Sequence, residues 1–316
     1  MFEQVAKALK GAGSVAVLAH ISEDADALGS AFAMAEILRD MGKTAVCYLS
    51  DVPEKRLAFI SDDFIVFEEG MQAAHDLCMC LDSGSIDRLG ARIALFDAAQ
   101  CTVNIDHHCT NTNYAQINCV DGGAAATGEI LFALCKELCI PLTAAIARYL
   151  YIAIASDTGC FKYSSVKPET MRAAAELLEF DIDHAALCRQ LFDTDELNIV
   201  QFEGWLRSRI ESYYGGKLCI VSAGQEDFAR FGVEERDVGD IVNIPRSVKG
   251  TEIAVSIRKL ADKTKISFRS NGACNVANLA LQFGGGGHVM AAGATVAPGD
   301  DIEERVIKAC GELFHD

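Results

Sequence analysis

Carboxylates and imidazoles able to bind a hard cation sit at the ends of short apolar runs in this sequence. His20 closes "SVAVLAH", and Glu23, Asp24 and Asp26 follow it. Asp82 closes "DLCMCLD", Asp106-His107-His108 closes "CTVNIDHH", and Asp157 follows "YLYIAIAS". Acids this close repel one another unless a positive charge lies among them. A set of His, Asp and Asp, joined by Asp, His and Asp from elsewhere, offers mainly oxygen donors with some imidazole. That mixture suits Mn²⁺ or Mg²⁺, tolerates Fe, Co or Zn, and differs from a thiolate zinc site. Six ligands are too many for one catalytic ion that must also hold water and substrate. Two ions about 3.5–4 Å apart, bridged by a carboxylate and a water, account for them better. Such a pair makes hydroxide at neutral pH and clamps both oxygens of an in-line displacement at phosphorus. His107 and His108 are adjacent and point different ways, so one can face a metal and the other a substrate.

The elements that must position these groups follow from the pattern. Residues 14–20, 44–50, 76–82 and 101–106 read as short buried strands, with helical periodicity at 27–41 and 86–98. Strands alternating with helices imply a parallel α/β sheet, whose ligands gather at the carboxyl ends of the strands. Taken singly, His20 could be a structural histidine, and Asp24, Asp26 or Asp82 a helix cap. Their shared topological position is what favours a site. Helical patterns dominate 127–192, and 196–214 reads as one more helix, ended by Gly215-Gly216. A β-rich region follows, with strands at 217–222, 251–260 and 263–270, the last two a hairpin. A helix at 275–283, a glycine run and a final helix at 301–314 complete it. The expected organisation is residues 1–195 as a metal-binding domain, 196–215 as a connecting helix and 216–316 as a smaller α/β domain.

The chain has 316 residues, and half of them are hydrophobic. No apolar run approaches the ~20 residues of a membrane span. The N-terminus lacks the basic start and continuous apolar stretch of a secretion signal, so the expected compartment is the cytoplasm. Thirteen cysteines without a C-x2-C pair read as reduced thiols in apolar runs rather than as disulfides or a zinc cluster. A net charge of −17 opposes binding to long nucleic acid. Residues 243–270 invert the sign, with seven basic residues against two acids.

"HISEDADALGS", "LDSGS" at 81–85, "DHH" at 106–108 and "SDTGCFKY" at 156–163 resemble, in sequence and order, the four motifs of the DHH phosphoesterase superfamily. "ISFRSNG" at 266–272 and "FGGGGHVMAAGA" at 283–294 resemble its DHH-associated (DHHA) domain, in the form found in stand-alone oligoribonucleases and related phosphatases. The resemblance implies an N-terminal parallel-sheet domain, a smaller C-terminal α/β domain and an active site in the cleft between them. It assigns His20 and Asp24 to one Mn²⁺, and Asp26, His107 and Asp157 to the other, with Asp82 bridging both; Mg²⁺ or Co²⁺ are alternatives. It places His108 against the scissile phosphate, with Asp106 orienting the histidine pair. Arg269, Gly284, Gly285, Gly286, Gly287 and His288 would hold the substrate's terminal phosphate or nucleotide. Glycines let backbone N–H groups approach an anion closely, and His288 can donate to the same anion. The basic segment 243–270 would then form a cationic wall.

The implied activity is hydrolysis of short oligonucleotides to nucleoside monophosphates. Removal of phosphate from 3′-phosphoadenosine 5′-phosphate and cleavage of cyclic or linear di-adenylate are further activities of the resemblance. Partners would be short oligonucleotides or small phosphorylated nucleotides, with no long duplex, no membrane and a homodimer as candidate assembly. An inorganic pyrophosphatase shares the N-terminal motifs, but the GGGGH run argues against it. A catalytically weak nucleotide sensor would bind tightly without turnover. Two positions depart from the family, which usually has proline and glycine where this chain has Glu23 and Ala25. Alanine costs roughly 1 kcal/mol if position 25 requires positive φ; Glu23 is expected to face solvent.

Overall fold

A computed structural model of the chain describes residues 2–272, 274–299 and 301–314. The chain divides into two compact units, 1–194 and 195–316. No helix among the described residues is long and apolar enough to cross a membrane.

The first unit is built on six parallel strands: β1 (Ser14–Leu18), β2 (Thr44–Leu49), β3 (Ile65–Val66), β4 (Leu77–Leu81), β5 (Cys101–Asp106) and β6 (Ile117–Val120). Their apolar runs do not alternate with polar residues because both faces are covered. Val15 and Val17 of β1 pack into one core, Ala16 and Leu18 into another on the opposite face. The helices are α1 (Glu3–Gly11), α2 (Ala25–Asp40), α3 (Ile93–Ala98), α4 (Thr127–Glu137), α5 (Ala144–Asp157), α6 (Pro168–Leu177) and α7 (His184–Phe192). Residues of α1, α2, α4 and α5 fill the first core; Leu89, Leu95 and Phe96 of the 86–98 segment fill the second.

Strand order is β3-β2-β1-β4-β5-β6. The chain runs outward from β1 to β3, then returns to place β4 on the other side of β1. The connections therefore diverge beyond the carboxyl ends of β1 and β4, which opens a crevice there. His20 and Asp82 follow those two strands. On the covering layer, α2 and α5 approach closely at Gly29, where a Cβ would stand 2.7 Å from the Tyr149 carbonyl oxygen. This contact brings the first turn of α2, with Asp26, toward the last turn of α5, with Asp157.

The second unit has β7 (Glu211–Tyr213), β8 (Leu218–Gly224), β9 (Ile253–Lys259), β10 (Thr264–Ser270), β11 (Gly286–Gly287) and β12 (Ala291–Val296), ordered β11-β12-β10-β9-β8-β7. Only the β8–β9 pair is parallel. Its helices are α8 (Leu197–Arg207), α9 (Gln225–Phe231), α10 (Asn243–Arg246), α11 (Val276–Gln282) and α12 (Ile302–Glu312). The helix expected over 196–214 stops at Arg207, and Glu211–Tyr213 pairs antiparallel with β8 instead. Nor is α8 a bare connector. Its Phe202 and Leu206 are fully buried in a core shared with Val221, Phe228 and Ile244 of the same unit.

Candidate metal centre

Loops after β1, β4 and β5, the first turn of α2 and the last residue of α5 bring His20, Asp24, Asp26, Asp82, His107 and Asp157 together. Nε2 of His20 lies 3.6 Å from Asp24 Oδ2 and 3.6 Å from Asp82 Oδ2. Nε2 of His107 lies 3.3 Å from Asp157 Oδ2, 3.4 Å from Asp82 Oδ1 and 3.9 Å from Asp26 Oδ2. The two oxygens of Asp82 thus face different groups. His20/Asp24/Asp82 and Asp26/His107/Asp157 each present three ligand atoms within 4.8 Å of one another, and so do Asp82/His107/His108. The donors are oxygen and imidazole throughout, which fits a hard or borderline divalent cation. Asp106 lies behind the histidines. It accepts from His108 Nδ1 at 2.7 Å and from Asn111 Nδ2 at 2.5 Å.

The carboxylates are held by groups that the pattern of the sequence did not mark. Asp24 caps α2 by accepting from Ala27 N at 3.0 Å. Asp26 accepts from Thr127 N (2.7 Å), Gly128 N (3.1 Å) and Ser30 Oγ (2.9 Å). Thr127 Oγ1 donates to Asp82 Oδ1 at 2.9 Å. Two helix N-termini, of α2 and α4, therefore direct N–H groups and partial positive charge at the acids. Asp157 has no such support, since it ends α5, where the helix dipole disfavours a negative charge. The one sequence signal for Thr127 is that it opens a helical run.

Proton affinities report the crowding. Burial opposes charge on His20, yet its contacts with Asp24 and Asp82 override this and raise its pKa to about 11. The protein packed around Asp24 would raise its pKa, but His20 holds it down at about 2. Asp26 and Asp157 shift the other way. Burial, then the neighbouring carboxylates, push both well above the usual range. The hydrogen bond to Asp106 lifts His108 to about 8 against burial. Groups whose pKa rises on folding stabilise the fold below the unfolded value and lose that effect as pH climbs through the folded one. With EDTA present, the melting temperature should therefore fall as pH rises from the ordinary histidine value of 6.5 through about 8. A bound cation needs these ligands deprotonated, so stabilisation by added Mn²⁺ should grow over the same interval. Thermal scans with EDTA and with Mn²⁺ should diverge with pH; parallel curves would count against a cation in this cluster.

Glu23 does not face solvent. It is 7% exposed and its Oε1 accepts from Arg92 Nη1 at 2.7 Å. Ala25 does not occupy a positive φ either, because it begins α2; the left-handed residues here are Ser22 (φ 57°) and Asp82 (φ 54°). The cost anticipated at position 25 does not arise.

In the second unit, Arg269 of β10 and the 284–288 segment flank the start of β12: Arg269 pairs with Ala291, and Gly287 with Ala292. Arg269 donates to Asp240 Oδ2 at 2.8 Å, which occupies part of its guanidinium fork. Two of the four glycines answer to packing. A Cβ on Gly285 would stand 2.1 Å from the Gly293 carbonyl oxygen, and one on Gly287 2.6 Å from Ala292 Cα. The expected cationic wall is largely neutralised. Arg258 and Lys265 both pair with Glu235, at 2.6 and 2.9 Å, and Lys259 lies 3.4 Å from Glu303. Those acids lie outside 243–270, so counting charges within that window overstated its field.

Residues 14–154 match the DHH family, N-terminal domain, and residues 215–315 match the DHHA1 domain. The chain is 33% identical to the bifunctional oligoribonuclease and PAP phosphatase NrnA of Thermus thermophilus, over 98% of this chain and 93% of the relative. It is 25% identical to the protein of the same name from Bacillus subtilis, over 90% of each. An exopolyphosphatase-related protein from Bacteroides fragilis shares the fold, with a TM-score of 0.88, 24% identity and coverage of 99% of this chain and 95% of that one.

Proposed function

Since this chain belongs to the DHH family of phosphoesterases, we propose that it hydrolyses short oligoribonucleotides to nucleoside monophosphates and dephosphorylates 3′-phosphoadenosine 5′-phosphate. The observation that carries this reading is the division of Asp82, one oxygen toward His20 and the other toward His107. His20, Asp24 and Asp82 would hold one divalent cation; Asp26, His107 and Asp157, with Asp82, would hold the second. We take both as Mn²⁺. When bound, the pair supplies a nucleophilic hydroxide and neutralises phosphoryl charge.

The chain's own residues orient and complete the displacement. Asp106 fixes His108 through Nδ1 and favours its protonated ring, so Nε2–H donates to a phosphoryl oxygen as negative charge builds there. The helix N-termini behind Asp24 and Asp26 hold those carboxylates in place without reorganisation. In the second unit, Gly284 and Gly285 close α11 by donating to the Leu281 and Ala280 carbonyls, so within the 284–288 run and Arg269 it is the side chains of His288 and Arg269 that receive a phosphate or nucleotide. Exposed Val289 and Met290 beside them offer apolar surface to a base. A net charge of −17 favours such small substrates over long strands.

One panel tests this reading. Purified protein with Mn²⁺ is offered a dinucleotide, a five-mer, 3′-phosphoadenosine 5′-phosphate, cyclic di-adenylate and pyrophosphate. Turnover of the dinucleotide and of 3′-phosphoadenosine 5′-phosphate is expected. Turnover of pyrophosphate alone would overturn the assignment, and tight nucleotide binding without any turnover would make the protein a sensor.

A further inference from the structure

Glu23 and Arg92 form a buried ion pair that contributes no atom to the candidate ligand groups. Arg92 is 1% exposed, and its Nη1 donates to Glu23 Oε1 at 2.7 Å and to the Tyr48 carbonyl at 2.9 Å. Its Nε donates to the Leu89 carbonyl at 3.2 Å. Glu23 also accepts from Ser50 N at 2.7 Å and Ser50 Oγ at 2.8 Å. Every residue between His20 and Asp24 is tied to one of the same two supports. Ile21 N donates to the Arg88 carbonyl at 2.7 Å, and Ser22 N, on a left-handed backbone, to Ser50 Oγ at 3.4 Å. The turn carrying His20 and Asp24 is thus fastened to the end of β2 and to the 86–92 segment.

Stability is a poor reason for this arrangement. Burying two charges costs about as much as their attraction returns, and a well-packed apolar pair often serves stability equally well. The pair here even leaves Arg92 Nη2 buried with no hydrogen-bond partner. What an ion pair supplies and an apolar contact does not is a fixed direction. The other ligand group has separate supports: Thr127 N, Gly128 N and Ser30 Oγ on Asp26, and the close α2–α5 packing behind Asp157.

We propose that the Glu23–Arg92 pair is a positioning device for one cation of the two, fixing His20 and Asp24 as its ligands and bearing less on the Asp26/His107/Asp157 ion. This rests on the ligand assignment above. The test is Mn²⁺ binding, followed by calorimetry and by electron paramagnetic resonance, in wild type and in Glu23→Met/Arg92→Met. The double change removes both charges together, so no lone charge is left buried. Asp24→Asn and Asp157→Asn identify which ion is which. Affinity for the Asp24 ion should fall about 10- to 100-fold, the range for outer-shell partners of metal ligands. Affinity for the other ion should fall distinctly less, since only the shared Asp82 carboxylate couples it to the first. If the double variant fails to fold, Ser50→Ala removes the hydroxyl's two bonds, from Ser22 N and to Glu23 Oε2, without stranding a charge, and should weaken the same ion about threefold or more. Two ions bound in the variants as in wild type would overturn the positioning role alone. A wild type that binds no Mn²⁺ would overturn both this role and the ligand assignment.

Discussion

Asp82→Asn should lower turnover of every substrate by about 10³-fold or more, since a divalent pair held as proposed would be worth several kcal/mol to the transition state and each 1.4 kcal/mol is tenfold. Asparagine is the informative replacement. Position 82 has φ 54°, a left-handed conformation that Asp and Asn tolerate and most residues resist. The amide oxygen can still accept from Thr127 Oγ1, so the fold should be retained in EDTA. What is lost is the charge facing His20 and His107 at once. Steady-state assays with the dinucleotide and with 3′-phosphoadenosine 5′-phosphate, alongside thermal scans, check this. Turnover within tenfold of wild type in a folded Asp82→Asn protein would rule out a bridging carboxylate at this position.

The second large effect is expected from His108→Asn. A preorganised donor to developing phosphoryl charge is worth about 10²–10³ in kcat. KM should change little, because the donor acts on charge that grows after binding. The pH profile separates this role from a structural one. Asp106 holds the proton on His108, so wild-type kcat should decline on the alkaline side as the donor loses that proton. In His108→Asn that alkaline limb should disappear while the lower rate remains. Asp106→Asn removes the group that holds the proton and should shift the same limb toward lower pH. A limb unchanged in His108→Asn would assign it to some other group.

His20, Asp82 and His107 were legible as candidate ligands because each follows a short apolar run, and parallel strands place such ends on one edge. Asp82 after "LCMCL" and His107 after "CTVNID" are clear cases. The order that sets β1 beside β4 was not legible, because pairing between distant strands leaves no local signature. The partners of the ligands were missed for the same reason. Glu23 looked like a surface acid because Arg92 stands 69 residues away. Thr127 acts on Asp26 and Asp82 from 101 and 45 residues off. The helix over 196–214 ran too far because the apolar spacing persists through Ile210. Residues 211–213 are claimed by β8, a tertiary contact that outweighs helical periodicity. The seven cations of 243–270 were read without Glu235, Asp240 and Glu303, which fold onto them.

The glycine run carries a lesson for how variants of this protein are interpreted. In a saturation screen, loss at 285 and 287 would score the same as loss at a substrate contact, yet both report the seam between the run and β12. Gly284 adds a third such position, because its φ of 72° penalises any side chain. Gly286 differs from all three. A Cβ there meets nothing within 4 Å and its backbone lies outside the left-handed range, so alanine at 286 leaves the seam closed. Position 286 is therefore the run's internal reference, where a fitness defect reads out ligand approach rather than misfolding.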